Sequence, residues 1–439
     1  MKRITLSARH AFCAALAAFA IPASAEWTSV HRDASNNALN PITATVTNVA
    51  VAPTVTTGPK SIVTGCAPII FGAQFVSVSR PTGPDSVYLQ AYSKTTGSIV
   101  WTTPNLDATT GTFSLSVPTV DTTENRLYFP TGVTVYKINP TTPTTTTVWS
   151  TSLSATNTDA TAGAVYSFTN AVPAIGAGKV FVQTYDDTFT PPFTRSQLVA
   201  LDATLGGVSW FKRTGGLGTV SPLFFDNGGS PIVITAIEDS TGAGGMKAFS
   251  ASNGNLVWSS ETVSVPWSTT NLVYTDMVLS AGKIYAVTYN FSGTNGQLIR
   301  IDAATGAQDY KVSSITSDCP PVIAGGTLYL LGGPFGSSKL ESHAASSGLF
   351  GFQQNVAGSI FRNYLAATND RLYVAISGAG SLRILNPADG TVLSAATGTD
   401  YDGPVSIDDN GDIYANGFTG RTDSFHSVAG VIDWAQFNN

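Results

Sequence analysis

Residues 408–412 read Asp-Asp-Asn-Gly-Asp and place four oxygen-bearing side chains within five positions. Calcium takes carboxylate and amide oxygens of this kind, usually about six to eight of them. The same run is also an ordinary hairpin turn, because Asp and Asn bond back to the backbone and Gly accepts a positive φ. Residues 226–229, Asp-Asn-Gly-Gly, have the same chemistry. We interpret both runs as turns and predict no metal site.

Histidine and cysteine, which also bind metals or act as nucleophiles, are few. Beyond residue 25 they are His31, His343, His426, Cys66 and Cys319. Their wide separation argues against a multi-histidine metal site, and no Cys-x-x-Cys-His motif for haem attachment is present. An even number of cysteines in an exported chain favours a Cys66–Cys319 disulfide, and two buried thiols are the alternative.

Two segments carry aromatic residues among polar and turn-forming neighbours, at residues 185–193 and 290–295. Aromatic side chains on the loops of a rigid scaffold often anchor a partner. The alternative is that they pack against their own part of the fold. The candidate recognition residues are Tyr185, Phe189, Phe193 and Phe291.

The elements that position these residues belong to a sequence repeat, whose period determines the fold. In each copy a strand leads to a turn that ends in Gly, and an aromatic residue stands four positions later, as in Gly306 and Tyr310. Asp302, four positions before Gly306, is of the type that opens a turn. We expect these aromatic residues to pack against the neighbouring repeat: Trp101, Trp149, Trp210, Trp258, Tyr310, Phe352 and Trp434.

Two copies depart from this pattern. Pro143 replaces the glycine before Trp149, and Ser394 replaces the aromatic residue after Gly390. Two further strands precede each turn, and the first often begins at proline, which lacks a backbone donor. Four strands at a period of about 48 residues are typical of propeller blades. The sequence predicts an all-β, eight-bladed β-propeller of four-stranded antiparallel blades, with seven blades as the alternative.

The two ends of the repeat region offer two ways to close the ring. Residues 430–434 fit the outer strand of the eighth blade, so closure need not borrow an N-terminal strand. Residues 42–56 also alternate like a strand. They either add to the closing blade or lie across one face.

The repeat also assigns positions to the histidines and cysteines. His343 aligns with the core-facing Ile301, which favours a hydrogen-bonded core histidine over a metal ligand. His426 aligns with the turn-opening Asp302. The two cysteines occupy equivalent places in blades one and six, so a disulfide requires both loops to lean into the central channel.

Residues 198–204, Leu-Val-Ala-Leu-Asp-Ala-Thr, followed by Gly207 and Trp210, resemble the repeat of the quinoprotein propellers. This family includes the pyrroloquinoline-quinone dehydrogenases and their non-catalytic relatives. Residues 26–33 resemble its entry segment. The resemblance covers nearly the whole chain after residue 25, and it implies the fold more strongly than a function.

The resemblance also implies what a catalytic member would need. The dehydrogenases hold the quinone and a calcium ion in the central channel, with adjacent cysteines joined as a disulfide and with Glu, Asn and Asp ligands. Here no two cysteines are adjacent, and the carboxylates are widely spread. We expect a non-catalytic member without a cofactor, and the alternative is a quinone-dependent dehydrogenase with calcium and an altered site.

The first residues and the composition indicate where the protein acts. Residues 1–25 have a basic start, an apolar stretch and an Ala-Ser-Ala ending, so we predict a signal peptide cleaved after Ala25. Cys13 lacks the small-residue context of lipid attachment. The net charge of -6 argues against nucleic acid, and no later segment is apolar enough to span a membrane. Residues 26–60 form the entry segment and residues 61–439 the propeller.

These observations predict an exported, non-catalytic binding or scaffold protein of the periplasm or the cell exterior. Its partner is expected to be a protein or another cell-envelope component, and the protein itself is expected to be a monomer. Besides the dehydrogenase, a secreted or surface adhesive protein is a second alternative.

Overall fold

Each repeat folds into one antiparallel sheet, because its alternating strands are joined in sequence as hairpins. In the computed structural model eight such sheets form the blades of a β-propeller, which confirms the predicted fold with eight blades and not seven. The structure describes residues 38–49, 55–56, 66–80, 86–106, 117–140, 145–153, 172–184, 196–215, 220–238, 244–260, 272–273, 276–289, 295–317, 319–333, 338–356, 365–376, 382–396, 401, 403–417 and 420–426.

The first four blades each contain four strands in chain order. Blade one has β2 (Ile69–Phe71), β3 (Gln74–Ser79), β4 (Tyr88–Ser93) and β5 (Ile99–Thr102). Blade two has β6 (Thr119–Asp121), β7 (Arg126–Thr131), β8 (Thr134–Asn139) and β9 (Thr146–Ser152). Blade three has β10 (Ala174–Gly176), β11 (Lys179–Gln183), β12 (Gln197–Asp202) and β13 (Val208–Arg213). Blade four has β14 (Leu223–Phe225), β15 (Ile232–Glu238), β16 (Gly244–Ser250) and β17 (Leu256–Ser259).

The other four blades follow the same plan with two variations. Blade five has an additional short strand, so that it contains β18 (Leu272–Val273), β19 (Val278–Ser280), β20 (Lys283–Tyr289), β21 (Asn295–Asp302) and β22 (Gln308–Ile315). Blade six has β23 (Val322–Ala324), β24 (Thr327–Gly332), β25 (Lys339–Ala344) and β26 (Phe350–Asn355). Blade seven has β27 (Ala366–Ala367), β28 (Leu372–Ala375), β29 (Leu382–Leu385) and β30 (Val392–Ala395). Blade eight has β31 (Ser406–Ile407), β32 (Ile413–Gly417), β33 (Arg421–Phe425) and, as its outer strand, β1 (Val55–Thr56).

The turn before each outer strand forms for the reason that the sequence suggests. Asp202 Oδ1 accepts hydrogen bonds from the backbone N–H groups of Thr204 (2.9 Å) and Leu205 (2.8 Å). Gly206 then closes the turn with a φ of +77°, which other L-residues adopt only at a cost. Asp302 makes the same turn in blade five.

The aromatic residue of one blade packs on the turn of the next, an arrangement that we name the blade latch. The indole N–H of Trp258 donates to the carbonyl oxygen of Ala303 (3.0 Å). A Cβ at Gly306 would stand 2.6 Å from the Trp258 ring, so this turn requires glycine for close approach as well as for its φ. The latch recurs with Trp149 on Ala203 and Gly206, Trp210 on Ala251 and Gly254, and Tyr310 on Ala345 and Gly348.

The remaining predicted aromatics differ from the latch. The Phe352 ring covers Gly390 and offers no donor. Trp101 is buried, but its indole N–H donates to Gln74 Oε1 of its own blade (2.9 Å). Trp434 lies outside the described residues.

The ring closes through the N-terminal segment. β1 pairs antiparallel with β33, Val55 opposite Ser424 and Thr56 opposite Asp423. Residues 430–434 lie outside the described residues, and β1 holds the outer position of blade eight, so the expectation that closure need not borrow an N-terminal strand is corrected. Of the two placements predicted for residues 42–56, residues 55–56 have the one in the closing blade. β1 and β33 come from opposite ends of the repeat region and belong to one sheet. Their backbone hydrogen bonds would have to break before the ring could open.

Residues 38–49 also replace the missing latch of blade seven. Ser394, which stands where other blades carry an aromatic residue, bonds the side chain of Asn48 (2.9 Å) and accepts from the backbone N–H of Val49 (3.0 Å). Nearby, the hydroxyl of Tyr373 donates to the carbonyl oxygen of Val46 (3.1 Å). The N-terminal segment thus packs against blade seven and also contacts the turn of blade eight, where Asn40 Nδ2 donates to the carbonyl oxygen of Asp408 (2.7 Å).

Apolar side chains of adjacent blades form the core between the sheets. No helix long and apolar enough to cross a membrane occurs in the part of the chain that the structure describes.

Candidate functional site

Two cavities flank β26, the outer strand of blade six. The larger, of about 680 Å³, extends towards blade seven and has a mixed lining in which apolar groups predominate. Its aromatic and apolar lining includes Tyr329, Leu349, Phe350 and Phe352. The bulged position of β26 is Gly351, where a Cβ would stand 2.5 Å from the hydroxyl of Ser342, so the close packing of β26 on β25 leaves no room for a side chain there.

The smaller cavity, of about 290 Å³, lies between the outer strands of blades five and six. Its lining is mostly polar, and Phe350 lines both cavities. Lys339 Nζ donates to the side-chain amide oxygen of Gln353 (3.0 Å) across this space. The polar lining comprises Asn295, Ser313, Ser314, Lys339, Glu341 and Gln353.

A buried carboxylate and imidazole connect the two cavities. Glu341 and His343 lie on the same face of β25 and are 4% and 2% exposed. His343 Nε2 is 2.7 Å from Glu341 Oε1, and His343 Nδ1 is 3.0 Å from the carbonyl oxygen of Gly348. Glu341 also accepts from the backbone N–H of Ile315 in blade five (3.2 Å) and from Gln353 Nε2 (2.7 Å).

These contacts determine the charge of the pair. A carbonyl oxygen only accepts, so Nδ1 of His343 carries a proton, and Nε2 faces a carboxylate that already has two other donors. Burial by itself raises the pKa of Glu341, but the hydrogen bonds from His343, Gln353 and Ile315 outweigh it and hold that pKa below its ordinary value. Burial lowers the pKa of His343, yet the bonds to Glu341 and Gly348 raise it above its ordinary value. Both shifts favour the charged forms, a carboxylate at Glu341 and an imidazolium at His343.

Glu341 and His343 hold neighbouring strands in position and do not offer a group for proton transfer. Both nitrogens of His343 are engaged, and a general base needs one that can reach the proton it takes. The hydrogen bond from Ile315 to Glu341 links the outer strand of blade five to blade six. Glu341 and His343 therefore fix the positions of the strands that separate the two cavities.

His343 lies in the core, in agreement with its alignment to Ile301. The two residues occupy equivalent positions in their blades, because His343 pairs with Leu328 and Ile301 pairs with Ile284. The partner Glu341 was missed. Period-two alternation places positions 341 and 343 on one face of the strand, so a carboxylate two residues before a core histidine was the signal available.

The acidic runs are turns, as predicted. Asp408 Oδ1 accepts from the backbone N–H groups of Asn410 and Asp412, each at 2.9 Å. Its other oxygen accepts from Lys94 Nζ of blade one. In blade four, Asp226 Oδ1 accepts from the N–H of Gly229 (2.9 Å). The carboxylate of Asp408 thus ties the closing blade to the first one.

Both cysteines are buried thiols, and the structure does not join them as a disulfide. Burial raises the pKa of the Cys66 thiol to about 12, although the positive charge of Arg80 lowers it in part. Such a thiol is protonated at neutral pH and is a poor nucleophile.

The remaining predicted residues have other placements. His426 bonds Asp412 and the hydroxyl of Ser424, which are side chains of its own blade and not the turn backbone that Asp302 caps. The carboxylate of Asp412 is the main reason that the pKa of His426 is raised. The predicted signal peptide, His31 and the candidate recognition residues lie outside the described residues: Tyr185, Phe189, Phe193 and Phe291.

The sequence also matches a family model. Residues 85–335, more than half of the chain, match the model described as outer membrane protein assembly factor BamB. The chain belongs to this family. No curated protein sequence matches it significantly.

Solved structures of this family and of the quinoprotein dehydrogenases share the fold. BamB from Moraxella catarrhalis superposes with a TM-score of 0.58 at 17% identity, covering 81% of this chain and 92% of that one. Quinohemoprotein alcohol dehydrogenase from Comamonas testosteroni gives 0.67 at 11% identity, covering 92% and 80%. Sqt1 from Saccharomyces cerevisiae gives 0.60 at 9% identity, covering 85% and 99%. Identities this low establish the propeller architecture alone.

The described residues do not fit the quinone and calcium ion that the dehydrogenases hold. No three His, Cys, Asp or Glu side chains come together to hold a metal ion in the described parts of the chain. Cys66 and Cys319 belong to different core clusters. We derive no chemistry through that group.

Proposed function

We propose that this protein is an exported, monomeric scaffold of the cell envelope that binds other proteins without a cofactor and takes part in outer-membrane protein assembly. The observation that carries this proposal is the family match over residues 85–335, which runs from β4 of blade one to β24 of blade six. A scaffold of this kind needs a rigid frame with exposed elements, not a reactive centre.

Two features of the site support a binding role. The ionisable pair Glu341 and His343 uses its hydrogen-bonding capacity within the protein. The blade latches and the closing sheet make a ring whose surface groups keep fixed positions, which lowers the entropy cost of binding a partner.

The proposal is tested by photo-crosslinking the affinity-tagged full chain in its native cells, with the crosslinker at Leu205 or Leu349. These side chains are 80% and 72% exposed on turns of blades three and six. The expected product is an adduct with a component of the outer-membrane β-barrel assembly apparatus, recovered in the envelope fraction. A matched control places the same crosslinker at the buried Leu201, where no adduct is expected.

Two outcomes would contradict the proposal. One is recovery of the chain only in the cytoplasm. The other is stoichiometric uptake of pyrroloquinoline quinone with calcium by the purified protein, together with dye reduction in the presence of alcohols or sugars. Light scattering on the purified protein tests the monomeric state.

A further inference from the structure

We propose that β26 binds an extended segment of a partner protein by β-strand addition, and that the two cavities beside it receive alternate side chains of that segment. This inference rests on the protein-binding role proposed above. It specifies one strand of the propeller, β26, and the side-chain pattern of the partner segment.

The outer edge of β26 presents backbone groups to solvent. β26 is the last strand of its sheet in the order β23-β24-β25-β26, and five of its six residues are exposed. The N–H of Val356 donates to the carbonyl oxygen of Ser338 (2.8 Å), which fixes the phase of the antiparallel ladder. Because inward and outward backbone groups alternate, those of Gln353 and Asn355 point away from β25.

β26 lacks the features by which edge strands avoid pairing. Natural edges carry charged side chains, especially lysine, or proline. The outer strand of blade three has Lys212 and Arg213, and that of blade five has Asp309 and Lys311. β26 reads Phe-Gly-Phe-Gln-Gln-Asn, with no charge and no proline. The outer strands β5, β9, β17 and β30 also lack charge and proline, so the edge sequence permits pairing at β26 without singling it out, and the two cavities beside β26 carry the choice of this strand.

The two cavities open on opposite faces of blade six, the larger towards blade seven and the smaller towards blade five, and β26 lines both. Successive side chains of a strand point to opposite faces of the sheet. A strand added beside β26 would therefore direct alternate side chains to the side of the larger cavity and to the side of the smaller one. Strand addition of this kind takes affinity from backbone bonds and specificity from pockets for alternate side chains.

The charges of the polar cavity indicate which side chains fit. The charge of Glu341 is balanced by His343, whereas among the described residues Lys339 bonds the neutral amide of Gln353 in this space. The cavity wall therefore favours an acidic or amide side chain, and the other cavity favours an apolar one. The partner segment alternates apolar with acidic or amide residues at a period of two.

The experiment measures binding of synthetic peptides to the full chain by fluorescence anisotropy. One eight-residue peptide alternates valine and aspartate, a second has the same composition in two blocks, and a third is the alternating peptide with alternate backbone nitrogens methylated. We expect the alternating peptide to bind at least about tenfold more tightly than either of the others, because only it can form the ladder and fill both cavities.

A proline in the edge tests the location. Asn355→Pro removes an outward N–H and blocks approach of a strand, so we expect about tenfold weaker binding of the alternating peptide. Arg213→Pro, at the matching position of β13, is the control and leaves binding unchanged. Far-UV circular dichroism verifies the fold of both variants, and the methylated peptide tests the edge on the unmodified protein if Asn355→Pro does not fold.

Equal binding of the alternating and block peptides, or unchanged binding by a folded Asn355→Pro variant, overturns the inference. Crosslinking to the assembly apparatus that persists in Asn355→Pro leaves the proposed scaffold role intact while removing β26 from it. The two proposals therefore fail separately.

Discussion

The blade latch between blades four and five makes a quantitative prediction about Gly306. A methyl group at this position meets the Trp258 ring at 2.6 Å, and the residue has a φ of +73°. Left-handed backbone costs an alanine about 1 kcal/mol, and overpacking of a close contact costs about 1–3 kcal/mol. Gly306→Ala is therefore expected to lower the free energy of unfolding by about 2–4 kcal/mol.

Gly282→Ala is the matched control, since Gly282 lies in the same blade with a φ of +71° and a methyl group there would meet no atom within 4 Å beyond its chain neighbours. It should cost only the backbone part, about 1 kcal/mol. Trp258→Ala removes the ring, so adding Gly306→Ala to it should also cost about 1 kcal/mol. Urea unfolding followed by far-UV circular dichroism measures all four variants. If Gly306→Ala costs the same with and without Trp258, the latch has no steric basis and the reasoning fails.

Three further predictions concern the polar contacts. Glu341→Gln leaves His343 without its counter-ion, so it should lower the free energy of unfolding by about 3 kcal/mol at pH 6. Urea unfolding measures this change. A cost below about 1 kcal/mol would contradict the buried ion pair. Asp408→Ala should cost about 2–4 kcal/mol in the same assay, because it removes the acceptor of two backbone N–H groups and of an ion pair, while Asp226→Ala in the exposed turn of blade four should cost less than about 1 kcal/mol. Ser394→Ala removes both hydrogen bonds of this hydroxyl to the N-terminal segment. At about 1 kcal/mol each, their loss should accelerate amide exchange in that segment by about thirtyfold, as followed by mass spectrometry with blade three as the internal reference.

The Glu341–His343 pair also predicts how stability depends on pH. The pKa of His343 is raised in the folded protein, so its contribution is complete below the ordinary value of 6.5 and is lost as the pH rises through the folded pKa. The pKa of Glu341 is lowered, so its contribution is present above the ordinary value of 4.5 and is lost as the pH falls through the folded pKa. Thermal unfolding against pH should show a plateau between these limits, and Glu341→Gln should flatten both flanks.

The local pattern of the sequence was sufficient for the blades. The turn formed by Asp202 and Gly206 depends on groups a few residues apart, and hydrogen bonds over so short a range can be predicted from the sequence. The alternation that places His343 in the core is equally local. Eight copies of one pattern then leave a closed ring as the arrangement that buries every sheet face.

Pairings between distant parts of the chain could not be predicted from the local sequence pattern. Residues 430–434 and residues 42–56 both alternate like an outer strand, and only the assembled ring brings Val55 opposite Ser424. The replacement of a blade-seven aromatic by Asn48 and Val49 has the same origin, since no periodicity connects segments about 350 residues apart in sequence.

The sequence by itself determined the repeat and the turn chemistry, because each follows from residues within about 50 positions of one another. It predicted eight blades with seven as the alternative, and the structure has eight. The tertiary structure alone decided which strand closes the ring, which carboxylate meets His343, and where cavities open beside β26. Those features depend on which side chains of neighbouring blades meet, as where the backbone N–H of Ile315 in blade five donates to Glu341 in blade six, and such contacts exist only when the sheets are packed together.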